Sequence, residues 1–373
     1  MHIPVSEPLL DGNERKYVLD ALDTNWISSA GQYIQEFEEA FAEFCGVRFG
    51  VACSSGTAAI HLAVAGLGIG PGDEVIVPNF TLIASANMVV LAGAKPVLVD
   101  VDPQTMCIDP ALIEEKITPR TKAIMPVHMY GHPADMDAIT AISEKHHLYI
   151  IEDGAEAHGA EFKGRMVGSL GTCAAFSFYG NKNLTTGEGG MVVTDTPEIA
   201  EMAALLRNQA FEEPRFVHRF VGFNYRLTNI QAAIGLAQVE TAAAKIERRR
   251  EIAHAYNERL KDVPGLTLPY EAEWAKSVYW MYGLLIDEAE FGCNRKDLAV
   301  SLAEKGVDTR DFFFPLHRQP VFCEGDDARY PDTSGDYPVS DDLYERGLYL
   351  PSGLGLTEEQ IDYVAETLIS LRQ

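Results

Sequence analysis

Basic residues are scarce in this chain. Its 30 lysines and arginines face 55 aspartates and glutamates, which gives a formal net charge of −25 at pH 7. A surface of that sign repels nucleic acid, so we expect no nucleic-acid partner. If the ligand is itself an anion, the chain must carry a local basic patch within its acidic exterior.

Paired cysteine motifs and long apolar runs are also missing. The six cysteines form no CxxC pair, which argues against a zinc site or a disulfide framework and for a reducing cytoplasm. No run approaches the roughly 20 apolar residues that cross a bilayer. Residues 1–7 have neither the basic nor the apolar region of a secretory signal. We therefore expect a cytoplasmic protein with no membrane partner and no bound metal.

The chain does contain an alternation of strand and helix patterns. Apolar stretches rich in β-branched residues predict buried strands at residues 74–77, 96–100, 123–127 and 149–151. Helical patterns lie between them, as at residues 58–65 and 137–146. This alternation favours an α/β fold with a mostly parallel central sheet flanked by helices.

The last third of the chain predicts a smaller unit. Thr228 and Gln231 have capping-box spacing and open a helical pattern that runs to about Leu260. We expect this long helix to bridge two units. The predicted domains are residues 1–240, a large domain with an N-terminal arm, and residues 241–373, a small C-terminal α/β domain.

Lys182 and Asp153 are the candidate catalytic residues. Lys182 lies on a turn just past an apolar run, where loss of hydration lowers the pKa of its amine and lets it form a Schiff base with an aldehyde. Asp153 ends an apolar strand pattern, and a buried carboxylate is costly unless it is paired. A lysine and an aspartate that faces a pyridinium nitrogen are the working pair of enzymes that use pyridoxal 5'-phosphate (PLP). Taken alone, Lys182 would be interpreted as a surface lysine on a turn, as most lysines are, and Asp153 as a helix-capping or salt-bridged aspartate.

A group of small residues follows the apolar run at residues 49–52. Small residues at a helix N-terminus let backbone N–H groups approach an anion, and the helix dipole favours its negative charge. The stretch predicts either a phosphate cup or an ordinary helix N-cap, and it comprises Ser55, Gly56 and Thr57.

Several stretches together carry a family resemblance. The most specific are at residues 55–57, 152–156, 177–182, 186–190 and 222–229. With matches from residue 10 to the C-terminal region, the chain resembles the DegT-type sugar aminotransferases, a branch of the fold-type I PLP enzymes. The resemblance implies PLP as the cofactor and a homodimer whose active sites are built from both subunits.

The resemblance also assigns cofactor contacts. Lys182 would hold PLP covalently and, once freed, shuttle a proton as general acid and base, while Asp153 would keep the ring nitrogen protonated. Many members carry an aromatic residue against the PLP ring where this chain has Leu82, so either Leu82 packs against the ring or Phe80 takes that place. The remaining implied contacts are Ser55, Gly56, Thr57 and Ser177 at the phosphate, Asn224 reaching the phosphate from the other subunit, and Glu156 near the ring's 3-hydroxyl.

Four further residues are candidate substrate contacts by the same resemblance. Ser29 lies in a stretch that is similar to the family's N-terminal loop beside the active site, and Arg226 lies in the same loop as Asn224. Arg310 and His317 lie in and near a small-domain segment that faces the sugar nucleotide in the resembling enzymes. Structural packing explains Arg310 and His317 equally well.

The implied reaction moves an amino group from glutamate to a keto carbon of a nucleotide-linked deoxy sugar, in first place C4 of a GDP-4-keto-6-deoxy hexose. The product would feed a surface polysaccharide such as O-antigen. A UDP or dTDP sugar, a C3 ketone or a keto-sugar acid is the nearest alternative. A dehydratase of the same fold is disfavoured because those members replace the lysine with histidine, and Lys182 is present. A non-catalytic binder or regulator on this scaffold is a further alternative, against which the set of Asp153, Ser177 and Lys182 argues.

Overall fold

Strands and helices alternate along residues 2–372, which the computed structural model describes. The strands are β1 (Phe49–Cys53), β2 (Glu74–Pro78), β3 (Lys95–Val99), β4 (Thr121–Ile124), β5 (Tyr149–Asp153), β6 (Glu161–Phe162), β7 (Arg165–Met166), β8 (Cys173–Ser177), β9 (Gly190–Thr194), β10 (Leu266–Thr267), β11 (Ala275–Lys276), β12 (Tyr282–Ile286), β13 (Arg310–Asp311) and β14 (Gly347–Leu350). The α-helices are α1 (Glu14–Asp23), α2 (Gln32–Cys45), α3 (Gly56–Gly66), α4 (Ala84–Leu91), α5 (Met136–His146), α6 (Pro197–Arg207), α7 (Asn229–Glu240), α8 (Ala242–Leu260), α9 (Glu288–Phe291), α10 (Arg295–Glu304), α11 (Pro320–Cys323), α12 (Pro338–Arg346) and α13 (Glu358–Ser370).

Seven strands form the central sheet, in the order β1-β9-β8-β5-β4-β2-β3. The pairs from β8 to β3 are all parallel, and β9 runs antiparallel to both β8 and β1. The predicted mostly parallel sheet is therefore confirmed, and each strand expected from the apolar pattern is present. The antiparallel β9 follows the tight turn at Gly187, whose φ of +81° favours glycine.

Both faces of this sheet are buried, because neighbouring residues on a strand point to opposite sides. Along β5, Ile150 packs into the core formed with α2, α5 and α7, whereas Ile151 packs into the core formed with α3, α4 and α6. Because both faces are buried, the strands of this sheet have to be apolar at consecutive positions. Polar groups are left for the carboxyl edge of the strands, and Asp153 lies at that edge.

The prediction of a single long helix from residue 229 to about 260 is wrong. The capping box is present, since the Thr228 Oγ accepts the Gln231 N–H and the Gln231 side chain accepts the Thr228 N–H. The helix nevertheless breaks at Thr241, which has φ −111° and ψ 9° and separates α7 from α8. The Thr241 hydroxyl donates toward the carbonyls of Ala237 and Gln238 at 3.4 and 3.3 Å, so it competes with the backbone for these acceptors.

A smaller antiparallel sheet, in the order β10-β12-β14-β13, packs with α8, α10 and α13. The N-terminal residues join this unit, because the Ile3 N–H donates to the Gly306 carbonyl at 2.8 Å and the Asp308 N–H donates to the Ile3 carbonyl at 3.0 Å. Ile3 is buried in the same core as α13. The expected boundary between residues 240 and 241 falls at the helix break, and the division into domains remains a proposal.

None of the helices within residues 2–372 combines the length and the apolar character that crossing a bilayer demands.

Candidate active site

A cavity of about 400 Å³ opens where β5 and β8 end beside the N-terminus of α3. The structure brings eight of the predicted residues together in its wall: Ser55, Gly56, Thr57, Leu82, Asp153, Glu156, Ser177 and Lys182. Other lining residues escaped the sequence analysis as site residues, among them Thr81, Tyr179, Asn181, Glu188, Trp280 and Phe313. The carboxyl edge of a parallel sheet is where α/β folds usually place ligands.

The N-terminus of α3 forms one end of the cavity. Ser55 is the N-cap, and its Oγ accepts the Ala58 N–H at 3.1 Å. The first N–H groups of a helix have no acceptor within the helix, so the amides of Gly56 and Thr57 remain for a ligand, and the helix dipole favours an anion there. Ser55 is therefore a helix N-cap, and the phosphate cup stays a prediction with which this N-cap is compatible.

Gly56 allows α3 to approach the end of β8 closely. A Cβ on Gly56 would lie 2.5 Å from the Ser177 Cβ and 3.0 Å from the Ser177 Cα. Contacts that short do not occur between real side chains, so only glycine fits. The close approach places the Ser177 hydroxyl next to the amides of the helix end, which adds a donor to the same anion pocket.

Asp153 is buried and held by two donors. Its Oδ2 accepts the Ser85 hydroxyl at 2.8 Å, and its Oδ1 accepts the Ala155 N–H at 3.1 Å. Burial raises the pKa of the Asp153 carboxyl, while the Ser85 hydroxyl, the Ala155 amide and the charge of Lys182 act to lower it. Sequence reasoning missed Ser85, which lies in the first turn of α4 and carries no motif of its own.

Lys182 and Glu156 face the same buried space. Burial lowers the pKa of the Lys182 amine, and the carboxyl groups of Glu156 and Asp153 act in the opposite direction. The Glu156 Oε2 accepts the Tyr130 N–H at 2.8 Å, and burial raises the pKa of this carboxyl against the pull of Lys182. The lysine therefore has the reduced hydration that a nucleophilic amine requires.

Leu82 lies in the cavity wall and is 50% exposed, whereas Phe80 is fully buried. Phe80 packs among Tyr130, Phe312 and Phe313, with ring centroids 6.0 to 6.3 Å away. Of the two alternatives, Leu82 therefore lines the cavity and Phe80 does not, and the packing of Leu82 against the PLP ring stays a prediction. Phe313 lines the cavity in addition to Leu82.

The remaining predicted residues do not line this cavity. Asn224 forms a β-bridge with Asn208, and Arg226 donates to the Asn208 Oδ1 at 2.9 Å. Ser29 and Arg226 line a separate concavity together with Arg215. Their role in the site stays a prediction that depends on a second subunit.

Arg310 and His317 are placed by packing contacts. Arg310 is exposed on β13 and donates to the neighbouring Thr309 carbonyl at 2.8 Å. The His317 Nδ1 lies 2.9 Å from the Asn79 Nδ2, and the backbone N–H of His317 donates to the Asn79 Oδ1 at 2.9 Å. Neither residue reaches the cavity of its own chain, so the packing interpretation accounts for their positions, and substrate contact stays a prediction.

The residues of the cavity fit PLP. The end of α3 and Ser177 offer donors for a phosphate, the buried Asp153 offers an acceptor for a ring N–H, and Lys182 offers an amine for an aldehyde. The buried carboxylate is the most telling feature, because no lysine or arginine along residues 2–372 lies within ion-pair distance of Asp153. The charge of Lys182 acts on it only from farther away, and burial without a positive charge in contact is costly. A protonated ring nitrogen would supply that positive charge.

Comparison with known proteins places these observations in a family. The model of the DegT/DnrJ/EryC1/StrS aminotransferase family matches residues 8–369. GDP-perosamine synthase from Caulobacter vibrioides is 47% identical over 98% of this chain and 97% of its own length, and the synthase from Escherichia coli O157:H7 is 44% identical over 98% of both. The crystal structure of S. venezuelae DesV in complex with a ketimine intermediate superposes with a TM-score of 0.89, at 37% identity over 96% of this chain and 94% of that one.

Gly56→Ala should weaken both the fold and cofactor binding. Its methyl group would press on Ser177, and overpacking of this kind destabilises by about 1–3 kcal/mol. Urea unfolding and PLP titration would measure the two effects. Gly66→Ala is the matched control at the other end of α3, because its Cβ meets no atom closer than 3.7 Å. Equal stability and PLP affinity in Gly56→Ala and the wild type would contradict the close approach.

Ser85→Ala should reduce PLP affinity by roughly 10-fold or more, because a hydrogen bond to a charged group contributes about 1.5–3 kcal/mol and the buried Asp153 carboxylate would lose one. Ser143→Ala serves as the control, since Ser143 is also buried and donates to a carbonyl, that of Leu148 at 2.6 Å, away from the cavity. The dissociation constant of PLP measured by absorbance titration decides the matter. An unchanged constant in Ser85→Ala would show that Asp153 does not need this donor.

Proposed function

The chain belongs to the DegT/DnrJ/EryC1/StrS aminotransferase family, and from that membership we propose that it forms GDP-perosamine, by transfer of the amino group of glutamate to C4 of GDP-4-keto-6-deoxymannose. It is a PLP-dependent aminotransferase of nucleotide sugars. The observation that carries the aminotransferase chemistry is the single cavity in which a half-buried lysine with a lowered amine pKa, a buried carboxylate and a helix N-terminus meet. The identities of 47% and 44% to GDP-perosamine synthases support the choice of substrate.

Bound PLP supplies an aldehyde that takes up an amino group and a ring that accepts electrons. The amides of Gly56 and Thr57 and the hydroxyl of Ser177 would hold its phosphate. Asp153 would keep a proton on the ring nitrogen, since the carboxylate held by Ser85 and Ala155 accepts from it.

Lys182 would move the protons of the reaction. Its Nζ, when free, would act as a general base that takes a proton from the amino-bearing carbon of the donor in the first half of the reaction, and as a general acid that delivers a proton to the carbon that receives the amino group in the second half. Burial lowers the pKa of this amine, which leaves more of it in the unprotonated form that a base requires. Leu82, Trp280 and Phe313 would exclude water from the reacting atoms.

A homodimer would complete the site. The loop at residues 209–222 is rich in apolar residues, and several of them are exposed, with Val221 88% exposed and Phe216 72% exposed. Exposed apolar side chains of this size are typical of an interface between subunits. Asn224 and Arg226 of one subunit would then serve the cavity of the other, where they could bind the phosphate and the anionic nucleotide.

The nearest alternative remains another keto sugar, such as a UDP or dTDP sugar, a C3 ketone or a keto-sugar acid. A non-catalytic binder or regulator is a weaker alternative, because the cavity keeps Asp153, Ser177 and Lys182 together. We place the reaction in the cytoplasm, with a product that serves a surface polysaccharide such as O-antigen.

Lys182→Ala should abolish turnover with glutamate and a keto sugar, because the variant lacks the amine that accepts and returns the proton. Lys261→Ala is the control, since this lysine is 53% exposed at the end of α8 and pairs with Glu258. Borohydride treatment of the wild-type holoprotein should leave a pyridoxyl group on the peptide that contains Lys182, which mass spectrometry detects. Turnover at the wild-type rate in Lys182→Ala, or a pyridoxyl group on another lysine only, would contradict the assignment.

A panel of keto sugars identifies the substrate. With glutamate as donor, GDP-4-keto-6-deoxymannose should give the highest kcat/KM, measured by mass spectrometry of the amino sugars formed. Arg226→Ala should raise KM for the nucleotide sugar roughly 10- to 150-fold, as expected for a lost hydrogen bond between charged groups of about 1.5–3 kcal/mol. KM for glutamate should change little, and Arg165→Ala serves as the control. Preference for a UDP or dTDP sugar would replace the proposed substrate and leave the aminotransferase intact.

A further inference from the structure

Trp280 covers the candidate catalytic lysine. The Lys182 Nζ lies 3.6 Å from the centroid of the Trp280 ring, and Trp280 is only 5% exposed. No side chain described along residues 2–372 is within hydrogen-bond or ion-pair distance of this Nζ, so the aromatic face is its closest partner. An aromatic face attracts a cation electrostatically, and most strongly where water is excluded.

The indole is held in place by contacts that do not involve the lysine side chain. Its Nε1–H donates to the Asn181 carbonyl at 2.9 Å, which ties the ring to the residue before Lys182. Its backbone N–H donates to the Tyr130 carbonyl at 2.8 Å, and the Val278 N–H donates to the Gly131 carbonyl at 3.0 Å. Because both the ring N–H and the backbone N–H of Trp280 are hydrogen-bonded, the indole has a fixed position. It can therefore set the position of the flexible lysine side chain that packs against it.

Gly131 makes this attachment possible. Its φ is +95°, and a Cβ there would lie 3.0 Å from the Trp280 nitrogen and 2.7 Å from the Val278 Cγ2. The Tyr130 N–H in turn donates to Glu156. The segment that carries Trp280 is therefore joined through residues 130 and 131 to a carboxyl group that acts on Lys182.

We propose that Trp280 is the positioning residue for Lys182: its indole face holds the Nζ beside Asp153 and Glu156, in the place from which the amine exchanges protons. The proposal rests on the role of Lys182 proposed above. The titratable groups around the amine are Asp153, Glu156 and His158. Burial lowers the pKa of the His158 ring to about 3, so this histidine is neutral and the two carboxyl groups supply the charge.

The ring should stabilise the protonated amine and so offset part of the effect of burial. Replacing it should lower the pKa of Lys182 further, by roughly 0.5–1.5 units in Trp280→Leu and by less in Trp280→Phe, which keeps an aromatic face of weaker attraction. A ring that only filled space would give the opposite result in Trp280→Leu, because water entering the vacated volume raises the pKa of a buried amine.

The test measures the pKa of the Lys182 amine in the full-length protein freed of cofactor. Trace labelling with acetic anhydride across a range of pH, read by mass spectrometry on the peptide that contains Lys182, gives that pKa directly. Circular dichroism and PLP rebinding check that each variant is folded. Trp274→Leu is the matched control, since this tryptophan packs against Phe162 and His132 outside the cavity wall, with ring centroids 5.0 and 5.3 Å away.

The proposal holds if the pKa falls in the order wild type, Trp280→Phe, Trp280→Leu and is unchanged in Trp274→Leu. An unchanged or raised pKa in Trp280→Leu, or an equal fall in Trp274→Leu, would overturn it. If Trp280→Leu fails to fold, Trp280→Phe decides by the same sign. Borohydride labelling of the wild type separates the two claims: a pyridoxyl group elsewhere would refute the role of Lys182, whereas the labelling pKa tests Trp280 by itself.

Discussion

A carboxylate that has no cation in contact and is buried at the end of a parallel strand is the constraint on which this site depends. Asp153 ends β5, where the sheet core gives way to the cavity, and only the neutral donors of Ser85 and Ala155 hold it. An isolated buried charge is expensive, and removal of its partner typically destabilises by 3–5 kcal/mol. The arrangement makes sense for a protein whose ligand brings the positive charge. The Lys182 amine, the N-terminus of α3 and Gly56 are then parts of one binding site for that ligand.

The position of this binding site in the fold can be predicted from the sequence, because it follows from local sequence patterns. Strands buried on both faces must be continuously apolar, and a carboxylate after such a strand must lie at the sheet edge, as Asp153 does. The helix break at Thr241 escaped the same reasoning, since the alanines that follow it continue a helical pattern. At the break, the Thr241 hydroxyl donates toward two helix carbonyls, a contact that the sequence pattern does not reveal.

Sequence reasoning missed Ser85 and Trp280 for the same reason. Ser85 reaches Asp153 across 68 positions of sequence, and Trp280 meets Asn181 across 99, so neither contact leaves a local pattern. Asn224, Arg226 and Ser29 present the reverse case, because the family resemblance assigns them to a site that one chain alone does not complete. Phe80 is an aromatic residue close in sequence to Leu82, but its ring packs in the aromatic core around Tyr130.

The path of the first residues has a consequence for how the protein can be taken apart. Ile3 pairs with the segment after α10, and the Ser352 N–H donates to the Val5 carbonyl at 2.9 Å, so Ile3 lies in the same core as α13, the last described helix. In the proposed division into two domains, the larger unit is therefore an insert between two pieces of the smaller one. In that division, no single cut releases either unit whole, because a fragment that stops at residue 240 keeps Ile3, which is buried in the core of the smaller unit, and the complementary fragment lacks it.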